Sequence, residues 1–225
     1  MGTSASPHRV AVVQHPPVWL DRAATLHRAV QLVAEAAANG ARLVSFPEAF
    51  IPGFPAWVWT LPPSDTAAHE ELYARLVEQA IDLASDDLDP LKAAARTHNV
   101  TVVCGINECD RAFSGTTIYN TVIVIGPDGH LLNRHRKLVP TNAERLVWGM
   151  GDASGLRTVE TPAGKIGTLI CWENYMPLSR YALYAQGIEI YIAPTWAKSD
   201  RWVATMRHIA FEGRCWVLGS GNLLA

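Results

Sequence analysis

No stretch of this 225-residue chain approaches the roughly twenty consecutive apolar residues with which a helix crosses a bilayer, so no membrane-spanning helix is expected. Residues 1–9 also lack the apolar core of a secretory signal, and the cytoplasm is the expected compartment. Cysteine is scarce, with four residues and no paired framework, which argues against a disulfide-built scaffold and for a reducing environment. An excess of one charge is missing too: 19 basic residues face 21 acidic ones, for a formal net charge of −2. That balance argues against nucleic acid as a partner, and the basic run at 134–137 is too short to reverse it. Repeats, low-complexity tracts and breaks in composition are absent, so a single domain is expected over 9–225, preceded by a flexible segment 1–8.

What is present is an alternation of apolar strands and helices. With 49% hydrophobic and 18% charged residues, much of the chain is expected to be buried or to face partners. Strands are predicted near 9–14, 42–47, 100–107, 119–125, 165–170, 188–193 and 215–219, and helices over about 21–39, 66–83, 90–98, 177–186 and 200–214. The turn Gly126-Pro-Asp-Gly129 connects 119–125 to a further strand that leads to Lys137. The class is layered α/β. Among eight tryptophans, Trp19, Trp202 and Trp216 are expected in the core, whereas Phe54, Trp57 and Trp59 sit in a proline-broken loop of the kind that forms sites.

The run Gly167-Thr-Leu-Ile-Cys-Trp-Glu-Asn-Tyr-Met-Pro177 puts Cys171 at the exit of an apolar strand and the entrance of a helix whose first turn Pro177 initiates. Free backbone N–H groups at such a turn favour a thiolate and receive an anion that develops beside it. A cysteine taken alone is more often a buried structural residue. Two other segments change the weighing. Arg42-Leu-Val-Ser-Phe-Pro-Glu48 is an apolar strand ending in a carboxylate walled by Phe46, Pro47, Ala49 and Phe50, and Asn133-Arg-His-Arg-Lys137 runs straight into Leu138 and Val139. Arg134 and Arg136 read as a solvated face, whereas Lys137 is placed to point inward. His135 reads as structural. Cys104 and Cys109 are expected to face different environments, so zinc is not called for.

Glu48, Lys137 and Cys171 at strand ends resemble the Glu-Lys-Cys triad of the nitrilase superfamily of carbon–nitrogen hydrolases. The resemblance covers nearly the whole chain, through Val10-Ala-Val-Val-Gln14, Phe46-Pro-Glu48, His135-Arg-Lys137, Glu144-Arg-Leu-Val-Trp-Gly149, Cys171-Trp-Glu-Asn174 and Ala193-Pro-Thr-Trp196. Cys171-Trp-Glu-Asn with Met176-Pro-Leu resembles the nitrilase branch; amidase branches usually carry Asp and Arg just after the cysteine.

The resemblance implies a four-layer α-β-β-α sandwich, a small-molecule nitrile as substrate, no cofactor and no metal, and an outer helical layer packed against a second subunit. It assigns Cys171 as nucleophile, Glu48 as base, Lys137 with the Trp172 backbone N–H as stabilisers of the developing anion, and Glu144 as a further site carboxylate. For Glu144 the competing reading is a solvated loop residue paired with Arg145, and Glu173 either orients Lys137 or pairs inside the fold. Trp57, Trp148, Trp172 and Trp196 are expected to bind substrate, which favours an aromatic or arylaliphatic nitrile.

The sequence stops at Asn222-Leu-Leu-Ala225, directly after the 215–219 strand, where nitrilases continue through further strands and a tail. The expectation is therefore a domain lacking those strands, with exposed sheet edges that favour self-association into a homodimer or higher oligomer. The alternatives are an amidase of the same superfamily and a shortened, inactive copy that serves as an assembly or binding module.

Overall fold

The computed structural model describes residues 8–112 and 114–223, so the 1–8 segment lies outside it except for His8. Among the described residues nine strands form two sheets. The first has the order β1-β2-β3-β4-β5, made of Arg9–Val12, Ala41–Ser45, Thr101–Cys109, Ile118–Ile125 and Leu131–Arg136. β1, β2 and β3 run parallel, while β3, β4 and β5 are antiparallel. The second sheet has the order β6-β7-β8-β9, made of Val159–Thr161, Gly164–Thr168, Ile190–Thr195 and Trp216–Gly221. β6 pairs antiparallel with β7, and β7, β8 and β9 are parallel.

Side chains alternate across a strand, and that alternation sorts the apolar residues into layers. On β4, Ile123 and Ile125 face outward onto helices α1 (Arg22–Ala38) and α4 (Asp89–His98), packing with Leu26, Val33 and Leu91. Val122 and Val124 face the opposite way and meet Ile166, Ile190 and Ile192 of the second sheet. On β8, Tyr191 and Ala193 turn to the far side, against Leu183 of α5 (Pro177–Tyr184) and Trp202 and Ile209 of α6 (Asp200–Gly213). The order is helix, sheet, sheet, helix, the four-layer sandwich that the resemblance implied. The remaining helices, α2 (Trp57–Thr60) and α3 (Thr66–Gln79), lie in the excursion between β2 and α4.

Local signals account for the helix boundaries. Asp21 caps α1 by accepting the Ala24 N–H at 2.8 Å, and Ser199 caps α6 through the Trp202 N–H at 3.2 Å. Pro177 opens α5 at a position where no backbone donor is needed. The short β6 and α2 were not anticipated, since three or four residues carry too little periodicity to register. Among the described residues no helix is long and apolar enough to cross a membrane.

Two of the three tryptophans expected in the core are outside it. Trp202 is buried, but Trp19 is 44% and Trp216 78% exposed. Trp216 begins β9 at the edge of the second sheet, where a strand has one partner and its side chains are less covered. Arg136 is not a solvated residue either. Its side chain is largely buried, stacks over Tyr119 at 3.8 Å and is ion-paired with Glu108 and with Asp110. Glu108 is buried on β3 and also receives Arg134 at 3.4 Å, so the basic run neutralises an internal carboxylate on one face of the sheet.

Candidate active site

Four of the side chains singled out from sequence, Glu48, Lys137, Glu144 and Cys171, converge at one end of the two sheets. Glu48 lies just past β2, Lys137 immediately after β5 and Cys171 just past β7, which is the region beyond strand ends where α/β proteins form sites. All are at most 2% exposed. The loop carrying Glu48 lies directly on β3: a side chain at Gly105 would run into the backbone of Pro47 and Ala49, so only glycine lets the loop come this close.

Lys137 Nζ donates to Glu48 Oε1 at 3.0 Å and to Glu144 Oε2 at 2.7 Å. Glu144 is thus not paired with Arg145, whose Nε instead donates to the Pro140 carbonyl at 3.1 Å. Glu144 sits in the 3₁₀ turn Asn142–Leu146 and also accepts the Thr141 N–H at 2.7 Å, which fixes the oxygen that meets Lys137. Glu48 is oriented from three sides: Asn120 Nδ2 and Lys137 reach Oε1, and the Trp196 N–H reaches Oε2, the first and last at 2.7 Å. Asn222 Nδ2 adds a bond to the Glu48 carbonyl at 2.9 Å.

Cys171 opens the 3₁₀ turn Cys171–Tyr175 with φ of 50°, in the left-handed region that a residue bearing a side chain seldom occupies. Such a conformation costs on the order of 1–3 kcal/mol and persists only where its surroundings hold it. Here it turns the thiol off the line of β7. Thr195, the last residue of β8, donates its hydroxyl to Cys171 Sγ at 3.3 Å.

Burial and the negative charge of Glu48 push the thiol up to about 12, partly offset by Lys137, the Thr195 hydroxyl and the Trp196 backbone. The resting group is a thiol at neutral pH. Burial alone would lower the ammonium of Lys137, but Glu48, Cys171 and Glu144 outweigh it and hold the pKa well above the ordinary lysine value. Burial raises Glu144; Lys137 acts against that and Glu48 with it.

Cys171 and Glu144 line a cavity of about 400 Å³ together with Trp59, Trp172, Tyr175 and Trp196. Trp196 stacks on Phe54 with ring centroids 4.3 Å apart. Of the tryptophans expected to bind substrate, Trp172 and Trp196 line this cavity. Trp148 is buried behind it, 5.8 Å from Lys137 Nζ, with its indole N–H given to Asn107 at 2.9 Å. Trp57 packs away from it, beside Trp19 and against the pocket formed by His69, Tyr73 and Val147; Trp59, two residues on, reaches the cavity instead.

Asn120, Thr195 and Asn222 were not singled out from sequence. Asn120 carried a signal, an amide inside the apolar strand Ile118-Tyr-Asn-Thr-Val-Ile, because a buried amide demands partners. Cys104 and Cys109 do lie in different surroundings, one in the core under α1 and α4, the other near Trp57 and Trp148. Among the described residues no group of three or more His, Cys, Asp or Glu side chains is arranged to hold a metal ion.

The carbon-nitrogen hydrolase family model matches residues 9–225. A bifunctional nitrilase/nitrile hydratase from Nicotiana tabacum is 46% identical over 216 residues, covering 95% of this chain and 61% of that protein. An aliphatic nitrilase from Sinorhizobium fredii is 46% identical over 218 residues, covering 96% and 69%. The chain therefore spans about six to seven tenths of the length of these curated relatives. Among solved structures, Nit3 of Saccharomyces cerevisiae, a member of branch 10 of the nitrilase superfamily, superposes with a TM-score of 0.77 at 23% identity, covering 95% of this chain and 74% of that one. An amidase from Nesterenkonia sp. does so with a TM-score of 0.70 at 18% identity, covering 96% and 76%. These two likenesses carry the fold alone, whereas identity near one half over almost the whole chain carries descent. The chain belongs to the carbon–nitrogen hydrolase family, on its nitrilase branch.

Proposed function

We propose that this protein is a nitrilase, hydrolysing an organic nitrile to a carboxylic acid and ammonia through a covalent Cys171 intermediate. The observation that carries the reading is the buried contact of Lys137 with Glu48 and Glu144 beside a thiol that opens into an aromatic cavity. A thiol held near 12 does not ionise at neutral pH, so a base must take its proton as the sulfur attacks. Glu48 is that base. Sγ bonds to the nitrile carbon, the π bond places its electron pair on nitrogen, and the thiol proton passes through Glu48 to that nitrogen. Negative charge develops on nitrogen only along the reaction, so the fixed ammonium of Lys137, with the Trp172 backbone N–H, stabilises the transition state more than the ground state. Glu144 holds Lys137 and positions water. Water adds to the thioimidate, ammonia leaves, and a second water cleaves the thioester to the acid and regenerates the thiol.

Trp59, Trp172, Tyr175 and Trp196 support an aromatic or arylaliphatic nitrile. The test is a panel of nitriles followed by mass spectrometry of protein and products. The expected result is a substrate-dependent adduct on Cys171 with acid as the main product; amide hydrolysis without nitrile turnover would replace this reading with an amidase.

A thiol nucleophile suits the reducing cytoplasm, which is the proposed compartment. Leu178, Tyr181, Phe211 and Trp216 are each at least 66% exposed on α5, α6 and β9, which supports self-association through that helical layer. Light scattering across a dilution series is expected to give masses above the monomer and specific activity that falls on dilution. A monomer of constant specific activity would exclude it.

A further inference from the structure

Glu173 is fully buried and takes no direct part in the chemistry above, yet its two oxygens reach both halves of the site. Oε2 accepts the Ile170 N–H at 2.7 Å, the peptide just before Cys171. Oε1 accepts the Leu138 N–H at 2.6 Å, the peptide just after Lys137. His135 Nε2 lies 3.1 Å from each oxygen, itself fully buried and two residues before Lys137 on β5. A glutamate at the third position of a turn commonly folds back to the N–H that opens it, and the bond to Ile170 alone is ordinary capping. The second oxygen goes beyond that. It joins the end of β5, in the first sheet, to the turn after β7, in the second.

We propose that Glu173 is a positioning residue that sets the separation of Lys137 from Cys171, with His135 as its support. The inference rests on the roles given to those two residues in the nitrilase reading. A carboxylate suits the task because it offers acceptors on both sides at once. Bonds from peptide N–H groups to a charged acceptor are also shorter and stronger than bonds to a neutral one. A neutral amide of the same shape keeps one acceptor and turns an NH₂ group toward the other peptide, leaving a buried N–H unpaired.

The experiment compares Glu173→Gln with wild type in two assays on the purified full chain. Nitrile turnover is expected to lose kcat by about 10–10²-fold with KM within about twofold, since misplacement of a group by an ångström affects the reacting geometry. Alkylation of Cys171 by iodoacetamide, read by mass spectrometry without any nitrile, is expected to slow, with its pH profile displaced upward. The direction follows from the thiol: of the three groups that draw its pKa down, Lys137 is the largest, ahead of the Thr195 hydroxyl and the Trp196 backbone, so a less fixed Lys137 leaves it higher.

A Glu173→Gln protein that melts earlier but shows wild-type kcat and a wild-type alkylation profile would reduce Glu173 to a structural cap and overturn the proposal. If Glu173→Gln does not fold, His135→Ala decides: it spares both peptide bonds and is expected to give the same upward displacement, smaller in size, and a wild-type profile there would overturn the proposal too. Failure of wild type to turn over any nitrile would instead remove the nitrilase reading, and the alkylation comparison would still report on Glu173.

Discussion

Cys171→Ala is expected to abolish the proposed nitrile turnover, by roughly 10⁴-fold or more, and with it every substrate-dependent adduct, whereas Cys104→Ala, Cys109→Ala and Cys215→Ala are expected to retain both. The size of the effect follows from covalent catalysis: without the sulfur no thioimidate forms, and Glu48 and Lys137 are left around a substrate that lacks its nucleophile. Thiol acidity does not single out Cys171, since burial raises all four cysteines above their usual value. Three other features do. Only Cys171 combines a cavity opening, the Thr195 hydroxyl on sulfur and the field of a buried lysine. Kinetics and intact-protein mass spectrometry on the four variants check this, and a Cys171→Ala protein with substantial turnover would defeat the covalent mechanism.

The strands, the helices and the α/β class were legible in the sequence because each was written locally, whereas the four-layer order came from the family resemblance. Val122 and Ile123 alternate on β4 as a strand between two apolar layers must, and the predicted ranges fall within a few residues of the observed strands and helices. Glu48 and Cys171 each follow an apolar strand and Lys137 ends a basic run that meets Leu138 and Val139, positions that sequence displays. What was illegible is long-range. Nothing near Arg136 announces Glu108, which lies on β3 with β4 between them, so the basic run reads as solvent-facing until the sheet is assembled. Trp57 and Trp59 share a loop and a residue type, and only the short helix α2 decides which of them reaches the cavity. Thr195 and Asn222 acquire their roles from β8 and from the residues following β9, remote in sequence from Cys171 and Glu48. Their spacing within the chain carries no such information.

Lys137→Met is expected to be the second most damaging change, through two separate effects. In the proposed mechanism its ammonium stabilises charge that appears on the nitrile nitrogen, and loss of one such donor is typically worth about 10²–10³ in rate. It is also the cation between two buried carboxylates, with Nζ 3.0 Å from Glu48 and 2.7 Å from Glu144. Removing one partner of a buried ion pair leaves uncompensated charge and costs about 3–5 kcal/mol, or a melting temperature lower by about 10 °C in a chain of this size.

The pH dependence distinguishes this from simple loss of packing. Glu144 already stands above its ordinary value in the wild type, through burial and the neighbouring Glu48, with Lys137 opposing both. Without Lys137 it rises further. A carboxyl whose folded pKa exceeds its unfolded one contributes stability that is present below the unfolded value and lost as pH rises through the folded one. The melting deficit of Lys137→Met relative to wild type is therefore greatest near neutrality and narrows as pH falls toward the carboxylate range. Calorimetry of both proteins from pH 8 down to pH 5 reads the difference directly. A deficit that stays constant or widens on acidification would mean that the loss is one of packing and that Lys137 does not hold the charges of Glu48 and Glu144 in balance.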